Sequence, residues 1–275
     1  MNSNGPPDLG GPSASGIVRP APADGWLRLR LTVAYDGSSF HGFAENHGVD
    51  TVAGVLRHAI ELILGRSIDL TCAGRTDTGV HARGQVVSFD APADTDPVHL
   101  RRRVNALTAP RIVVREVVVA APDFDARFSA VTRTYRYFVW NAEVQDPFLS
   151  AHAWWLADPL DRDALAEACP PLLGSHDFTS FCRRPRGRED ASLVRRVLGA
   201  DWTEEPGRSD LLRFEIRATA FCHQMVRSIV GLVVDVGRGR RTPADITAAL
   251  GAADRSTAGQ LAPPHGLFLW NVEYG

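Results

Sequence analysis

The chain switches its hydrophobic period from two residues to about 3.6 and back, and it does so in the same order twice. "WLRLRLTVAYDG" sets Leu27, Leu29, Leu31 and Val33 at alternate positions before a Tyr-Asp-Gly turn, the pattern of a strand with one wet face. From Thr51 the apolar residues Val52, Val55, Leu56, Ala59, Ile60, Ile63 and Leu64 fall at helical spacing, with Asp50 or Thr51 to cap the helix and Gly65 to stop it. "SIDLTCAGRTDTG" and "GQVVSFD" read as strands. "DPVHLRRRVNAL" reads as a helix capped by Asp96, and "RIVVREVVVA" as another strand. After "DFDARFSA" the order starts again with the strand "TYRYFVWN", helical spacing in "DRDALAEACPPLLG" that Pro170 and Pro171 should end, and the strand "DLLRFEIRATAF". The helix "HQMVRSIVGLVVDVG" follows, with Gly237 as its expected stop. A last helix opens at Thr242-Pro243, and "GLFLWNVEYG" is the final strand.

This order confines the chain to the α+β class. The expected architecture is two ferredoxin-like or RRM-like βαββαβ-type units with mostly antiparallel sheets, joined around a central cleft that would seat an extended ligand. Residues 25–128 and 129–275 are assigned to the two units, and 275 residues suffice for each to bury a core. Residues 1–24 are expected to be a disordered tail, because "NSNGPPDLGGPSASG" has too little apolar surface to offset its ordering entropy. Neither a secretion signal nor a stretch long enough to span a bilayer is evident, so a cytoplasmic protein is expected.

Every basic residue is an arginine, and the absence of lysine excludes a Walker A loop, a pyridoxal Schiff base and a lysine-dependent aldol mechanism. The net charge of −2 gives no bulk attraction to nucleic acid. The arginines are nevertheless bunched at Arg101 to Arg103, at Arg183, Arg184, Arg186 and Arg188, at Arg195 and Arg196, and at Arg238, Arg240 and Arg241. Such bunching suggests a positive groove for a polyanion and an acidic back. Cys72, Cys169, Cys182 and Cys222 form no Cys-x-x-Cys pair, which argues against structural zinc and fits four buried thiols in a reducing compartment.

The chemistry concentrates in "TCAGRTDTGVHARGQ". Asp77 precedes the turn glycine Gly79, so its plainest role is that of a turn former. Arg75, two residues earlier, would project to the same side of an extended segment and hold the carboxylate ionised. One ionised carboxylate suits nucleophilic or electrostatic catalysis better than glycoside hydrolysis, which needs two. His81 has no second histidine at ligand spacing and reads as structural, so metal-free chemistry without a cofactor is expected. A metal-dependent hydrolase built on Asp77 and His81 is the alternative that a chelator would reveal.

"CAGRTDTGVHARGQVVSF" closely resembles the catalytic motif of the tRNA pseudouridine synthase A family. "YDGSSFHGF", "DFDARFSAVTRTYRYFVWN", "SHDFTSF", "AFCHQMVRSIVGLVVDVGRGR" and "PPHGLFLWNVEY" resemble the family's other blocks in order, from about Leu27 to the end. The resemblance implies cofactor-free isomerisation of uridine to pseudouridine in the anticodon stem-loop of tRNA, at positions 38 to 40, by a homodimer. It implies Asp77 as the catalytic aspartate, Arg75 as its partner, Tyr135 as the ring that stacks on the target base and is placed to take a proton, and Arg227 near the aspartate or the RNA. Arg101, Arg102, Arg183 and Arg184 are the arginines expected on the RNA backbone. Addition to C6 of the base, attack on C1′ and assisted elimination at the ribose all remain open as routes. Each requires a uridine out of its stack. Gly42-Phe43-Ala44 stands where the family usually has Gly-Trp-Gln, and Gln224 and Ser228 depart from its His-Met-Val-Arg-Asn block. A noncatalytic RNA-binding module or chaperone on the same scaffold is the rival reading.

Overall fold

The structure, a computed structural model, describes residues 19–184, 187 and 190–275. Residues 1–18 of the expected tail, and Arg186 and Arg188 of the second arginine cluster, lie outside the described residues.

The alternating N-terminal segment forms β1 (Trp26–Tyr35), and Leu29, Leu31 and Val33 on its apolar face are fully buried. Strand β1 pairs antiparallel with β3 (His81–Pro92) on one side and β4 (Ile112–Val119) on the other. A short β2 (Thr71–Cys72) adds to β3. In the second half β5 (Ala130–Asn141) pairs with β9 (Arg208–Ala218), β9 with β8 (Val194–Glu205), and β8 with β7 (Gly174–Asp177), all antiparallel. β6 (Trp154–Leu156) lies parallel to β5. The last strand, β10 (Leu267–Tyr274), runs antiparallel to β5 and parallel to β3 through Phe268 opposite His81 and Leu269 opposite Ala82. The two halves therefore share one 10-stranded, mostly antiparallel sheet in the order β4-β1-β3-β10-β5-β9-β8-β7. The carboxyl-terminal strand is the splice between them.

Among the described residues five α-helices accompany the sheet: α1 (Val52–Leu64), α2 (Pro97–Thr108), α3 (Arg162–Glu167), α4 (Met225–Gly237) and α5 (Pro243–Ala252). Thr51 caps α1, Asp96 caps α2, and Gly65 closes α1 in the left-handed region, as the sequence predicts. Helix α3 stops before Pro170, whose ring has no N–H to offer and clashes with the preceding turn. Helix α4 is apolar all round and buried all round, with only Arg227 and Asp235 keeping partial exposure. The helix ends at Gly237, as the sequence predicts, but the left-handed turn comes two residues later at Gly239, φ 67°; at Gly237 itself a Cβ would come within 2.7 Å of Leu165 Cδ2.

Two expectations are corrected. Residues 19–24 belong to the folded body: the buried Arg28 donates to Pro20 O at 2.9 Å, to Phe124 O and to Asp90, and Arg19 donates to Thr71 Oγ1 at 3.0 Å. A buried guanidinium demands partners for its donors, and the segment ahead of β1 supplies one of them. Cys182 and Cys222 form a disulfide with Cα atoms 5.8 Å apart, so only Cys72 and Cys169 are free thiols. Sequence spacing could not pair two residues that the fold brings together from β7's far side and the start of α4.

Candidate active site

The loop between β2 and β3 carries Asp77 to the edge of the β3–β10 seam. An internal network holds it from beneath. Tyr35 on β1 is buried, and its hydroxyl lies 2.8 Å from Thr76 Oγ1. Gln85 on β3, fully buried, donates to Gly74 O at 2.6 Å and to the Tyr35 oxygen at 3.4 Å. Phe43 N donates to Thr76 O at 3.0 Å, and the Phe43 ring is buried. Phenylalanine thus keeps an apolar anchor in the block where the family usually has tryptophan. Val80 N donates to the Asp77 carbonyl at 3.1 Å, closing a turn whose third residue, Gly79, has φ 76°.

The carboxylate of Asp77 is not spent on that turn. His223 Nε2 lies 3.1 Å from Oδ1, and Arg227 Nη1 donates to Oδ2 at 3.3 Å. Arg227 sits in the first turn of α4, its Nε–H donating to Ala262 O at 2.8 Å, so its fork is fixed by backbone on one side and carboxylate on the other. Burial raises the pKa of Asp77. The hydrogen bond and charge of His223 and the charge and hydrogen bond of Arg227 outweigh it, and the net direction is below the ordinary carboxylate value. Asp77 is therefore ionised at neutral pH.

Arg75 is not the partner of this carboxylate. It is exposed, and its side chain makes no hydrogen bond or ion pair with Asp77. The expectation assumed an extended segment, but β2 ends at Cys72 and residues 73–80 form a loop, so the two-residue repeat that would align Arg75 with Asp77 does not apply. Tyr135 on β5 is 8% exposed, packs edge-on to Phe221 with centroids 4.9 Å apart, and has its hydroxyl against Gly74. Burial, with the negative charge of Asp77 adding to it against the opposing charge of Arg133, pushes this phenol well above its ordinary value. It is a neutral ring and hydroxyl, not a phenolate. Tyr137, ambiguous in the sequence, is fully buried and donates to Pro263 O at 2.8 Å, which makes it a core residue.

His81 is structural. Its Nδ1 accepts from Gly37 N at 3.0 Å, its Nε2 faces Ala151 O and His265 O at 3.1 Å each, and its ring stacks on Phe268. Desolvation lowers its pKa despite Asp36 nearby, so the imidazole is held neutral. Asp36, His81 and His152 bring ligand-type atoms within 4.8 Å of one another. Both nitrogens of His81 are nevertheless engaged by backbone, and the His152 imidazole lies 3.1 Å from Asp36 Oδ2, so the donor set serves itself and does not fit a metal ion.

The arginine clusters separate. Arg101 and Arg102 lie on α2, which packs on the edge strand β4, and Arg101 donates to Arg115 O at 3.2 Å. Arg183 and Arg184 line an open cavity of about 680 Å³ together with Gln224 and Arg255, and Arg255 donates to Gln224 Oε1 at 2.5 Å. Gln224 adjoins His223, so this basic cavity and the carboxylate are neighbours. The sequence reading missed His223 and Arg255. For His223 helical spacing gives no signal, because the left-handed Gln224 separates it from α4.

The family model described as tRNA pseudouridine synthase matches residues 31–129 and 168–275. The tRNA pseudouridine synthase A of Geobacillus sp. (strain WCH70) is 40% identical over 248 residues, covering 90% of this chain and 98% of that protein. The Bacillus subtilis (strain 168) protein of the same name is 39% identical over 251 residues, with 90% and 99% covered. That of Rhizobium meliloti (strain 1021) is 38% identical over 250 residues, again with 90% and 99% covered. With its carboxylate, its neutral tyrosine and matches that run across both halves, the chain belongs to the tRNA pseudouridine synthase family.

Proposed function

We propose that Asp77 is the catalytic carboxylate with which this chain isomerises uridine to pseudouridine in tRNA. The observation that carries the assignment is the pair of donors, His223 and Arg227, that converge on its two oxygens and keep it ionised at the mouth of the site. The reaction breaks the C1′–N1 bond, forms a C1′–C5 bond, releases the C5 proton and protonates N1. The chain's residues divide the remaining work. Tyr135 offers an aromatic platform to the extruded base. Arg75, exposed two residues from Asp77, is a cation available to the bound RNA. Arg183, Arg184 and Arg255 hold backbone phosphates around the cavity, and Arg101 and Arg102 serve a more distant stretch of RNA.

The finer expectations rest on the family. The target is the anticodon stem-loop, positions 38 to 40, modified without cofactor by a cytoplasmic homodimer whose halves each follow the ferredoxin-like plan. The exposed Val144 and Phe148 after β5 are apolar surface that a second copy would cover. Among the described residues no helix is long and apolar enough to cross a membrane.

The test is tRNA carrying tritium at uridine C5, incubated with wild type and Asp77→Ala without added metal or nucleotide. Forming the C5 glycosidic bond expels that hydrogen, so release by wild type and none by the variant is expected. Binding without release by wild type would favour the noncatalytic RNA-binding reading. Release that survived Asp77→Ala would remove Asp77 from the chemistry.

A further inference from the structure

A carboxylate held at one oxygen can still turn about its Cβ–Cγ bond, whereas one held at both oxygens by two fixed donors cannot. Arg227 supplies the first donor, to Oδ2, from the first turn of a helix buried on nearly every side. The second oxygen faces His223, which precedes the helix by two residues. We propose that His223 is a positioning residue for Asp77, its Nε2–H fixing Oδ1 so that the carboxylate plane is set before uridine arrives. This inference rests on Asp77 being the catalytic carboxylate.

Three features of the surroundings support it. The backbone of His223 is pinned although its side chain is 42% exposed: its carbonyl accepts from Arg183 N at 2.9 Å, Cys222 before it is tied to Cys182, and Gln224 after it takes φ 67° to start the helix. A left-handed glutamine is uncommon and costs backbone energy. Here it turns the chain so that residue 223 meets the loop of Asp77 while residue 225 begins α4. Side-chain exposure also rises from Arg227 (12%) through Asp77 (25%) to His223 (42%), so the histidine stands on the solvent side of the carboxylate, from which a flipped base must come. Finally, a half-exposed His–Asp contact adds little to stability, so the fold itself does not require the pinning.

The charged and titratable groups facing Asp77 are His223 and Arg227 from the start of α4 and Tyr135 from β5. Tyr135 is neutral and the Arg227 contact is left in place, so replacing His223 isolates one contribution. His223 lowers the pKa of Asp77. Its loss raises that pKa, and the carboxylate then protonates at a higher pH on the acid side.

The experiment compares His223→Ala, His223→Gln and Asp77→Ala by tritium release across pH, with thermal unfolding as a control. Glutamine is chosen because its amide nitrogen reaches the position of the histidine Nε2 but does not titrate. For His223→Ala the expected result is kcat down by about 10-fold or more, KM for tRNA within about twofold, and an acid limb moved to higher pH, with unfolding unchanged. His223→Gln should recover most of kcat and place the acid limb between those of His223→Ala and wild type, because it restores the hydrogen bond but not the charge. Wild-type kcat in His223→Ala, with Asp77→Ala inactive, would overturn the positioning role and leave the catalytic assignment standing. A rise in KM alone, equal in both His223 variants, would make His223 an RNA contact and also overturn it. Activity in Asp77→Ala would instead remove the reading on which the inference rests.

Discussion

At the residue scale the proposed site poses one electrostatic problem: keeping the Asp77 carboxylate ionised although it is partly buried. Burial works against the charge, so the site needs donors that do not titrate away. Arg227 is the one whose charge is constant. Arg227→Ala should lower kcat by about 10²-fold or more, the scale seen when a preorganised donor is removed from an active site, and should move the acid limb of the pH–rate profile upward. Arg227→Lys should not restore it, because a point ammonium cannot serve both Ala262 O and Asp77 as the guanidinium fork does. Arg75→Ala, whose guanidinium lies outside the ion pair, should raise KM and leave the acid limb in place. A pH shift in Arg75→Ala with none in Arg227→Ala would reverse this assignment. The proposed catalytic aspartate was legible in the sequence because the motif points to it, although its turn chemistry alone reads as that of a turn former. Its partner Arg227 was legible only through the family resemblance, which implied an arginine near the aspartate or the RNA; residue spacing pointed instead to Arg75, because Arg227 is 150 residues away in the chain and only the packing of α4 brings it to Asp77.

At the element scale, periodicity carried most of what the sequence could say. The helices α1, α2, α4 and α5 and the strands β1, β3, β4, β5, β9 and β10 follow from apolar spacing and cap residues. Strand β8 was missed because most of its residues are exposed or half-exposed, leaving no clean alternation to read. The end of α4 at Gly237 was legible but the reason for the glycine was not: a glycine at a helix terminus looks the same whether it is needed for its φ or for its missing side chain. Gly237 belongs to the second kind, since Leu165 of α3 occupies the space where a Cβ would go. Gly237→Ala therefore has two opposed effects. Helix propensity favours alanine by roughly 1 kcal/mol, while overpacking against a buried leucine costs about 1–3 kcal/mol. The expected balance is a net loss, read as a lower urea midpoint at unchanged m-value, and a gain in midpoint would show that Leu165 moves aside freely. Because α3 packs on the helix that carries Arg227, activity should fall with stability in this variant.

At the scale of the whole molecule, the two halves that the sequence suggests as separate units meet through β10, which pairs with β5 on one side and β3 on the other, and their buried side chains form one cluster. That splice matters to the site, because Asp77 arrives from the first half while Tyr135, His223 and Arg227 arrive from the second. The same division governs the charge. With a net charge of −2 the chain has no overall pull on a polyanion, so binding to tRNA must come from where its arginines stand. Around the cavity beside Gln224 stand Arg183, Arg184 and Arg255, whereas Arg101 and Arg102 lie across the sheet on α2. Each arginine that meets a phosphate releases condensed counterions, so log K against log salt should fall with a slope of roughly −0.7 to −0.9 per contact. The triple variant Arg183→Gln, Arg184→Gln, Arg255→Gln should flatten that slope by about two units and weaken binding at low salt while sparing the rate of bound tRNA. Arg101→Gln with Arg102→Gln should flatten it less, being farther from the carboxylate around which the RNA is centred. Equal slopes in the triple variant and wild type would mean that the basic cavity faces away from the bound RNA, and that the tRNA enters over α2 instead.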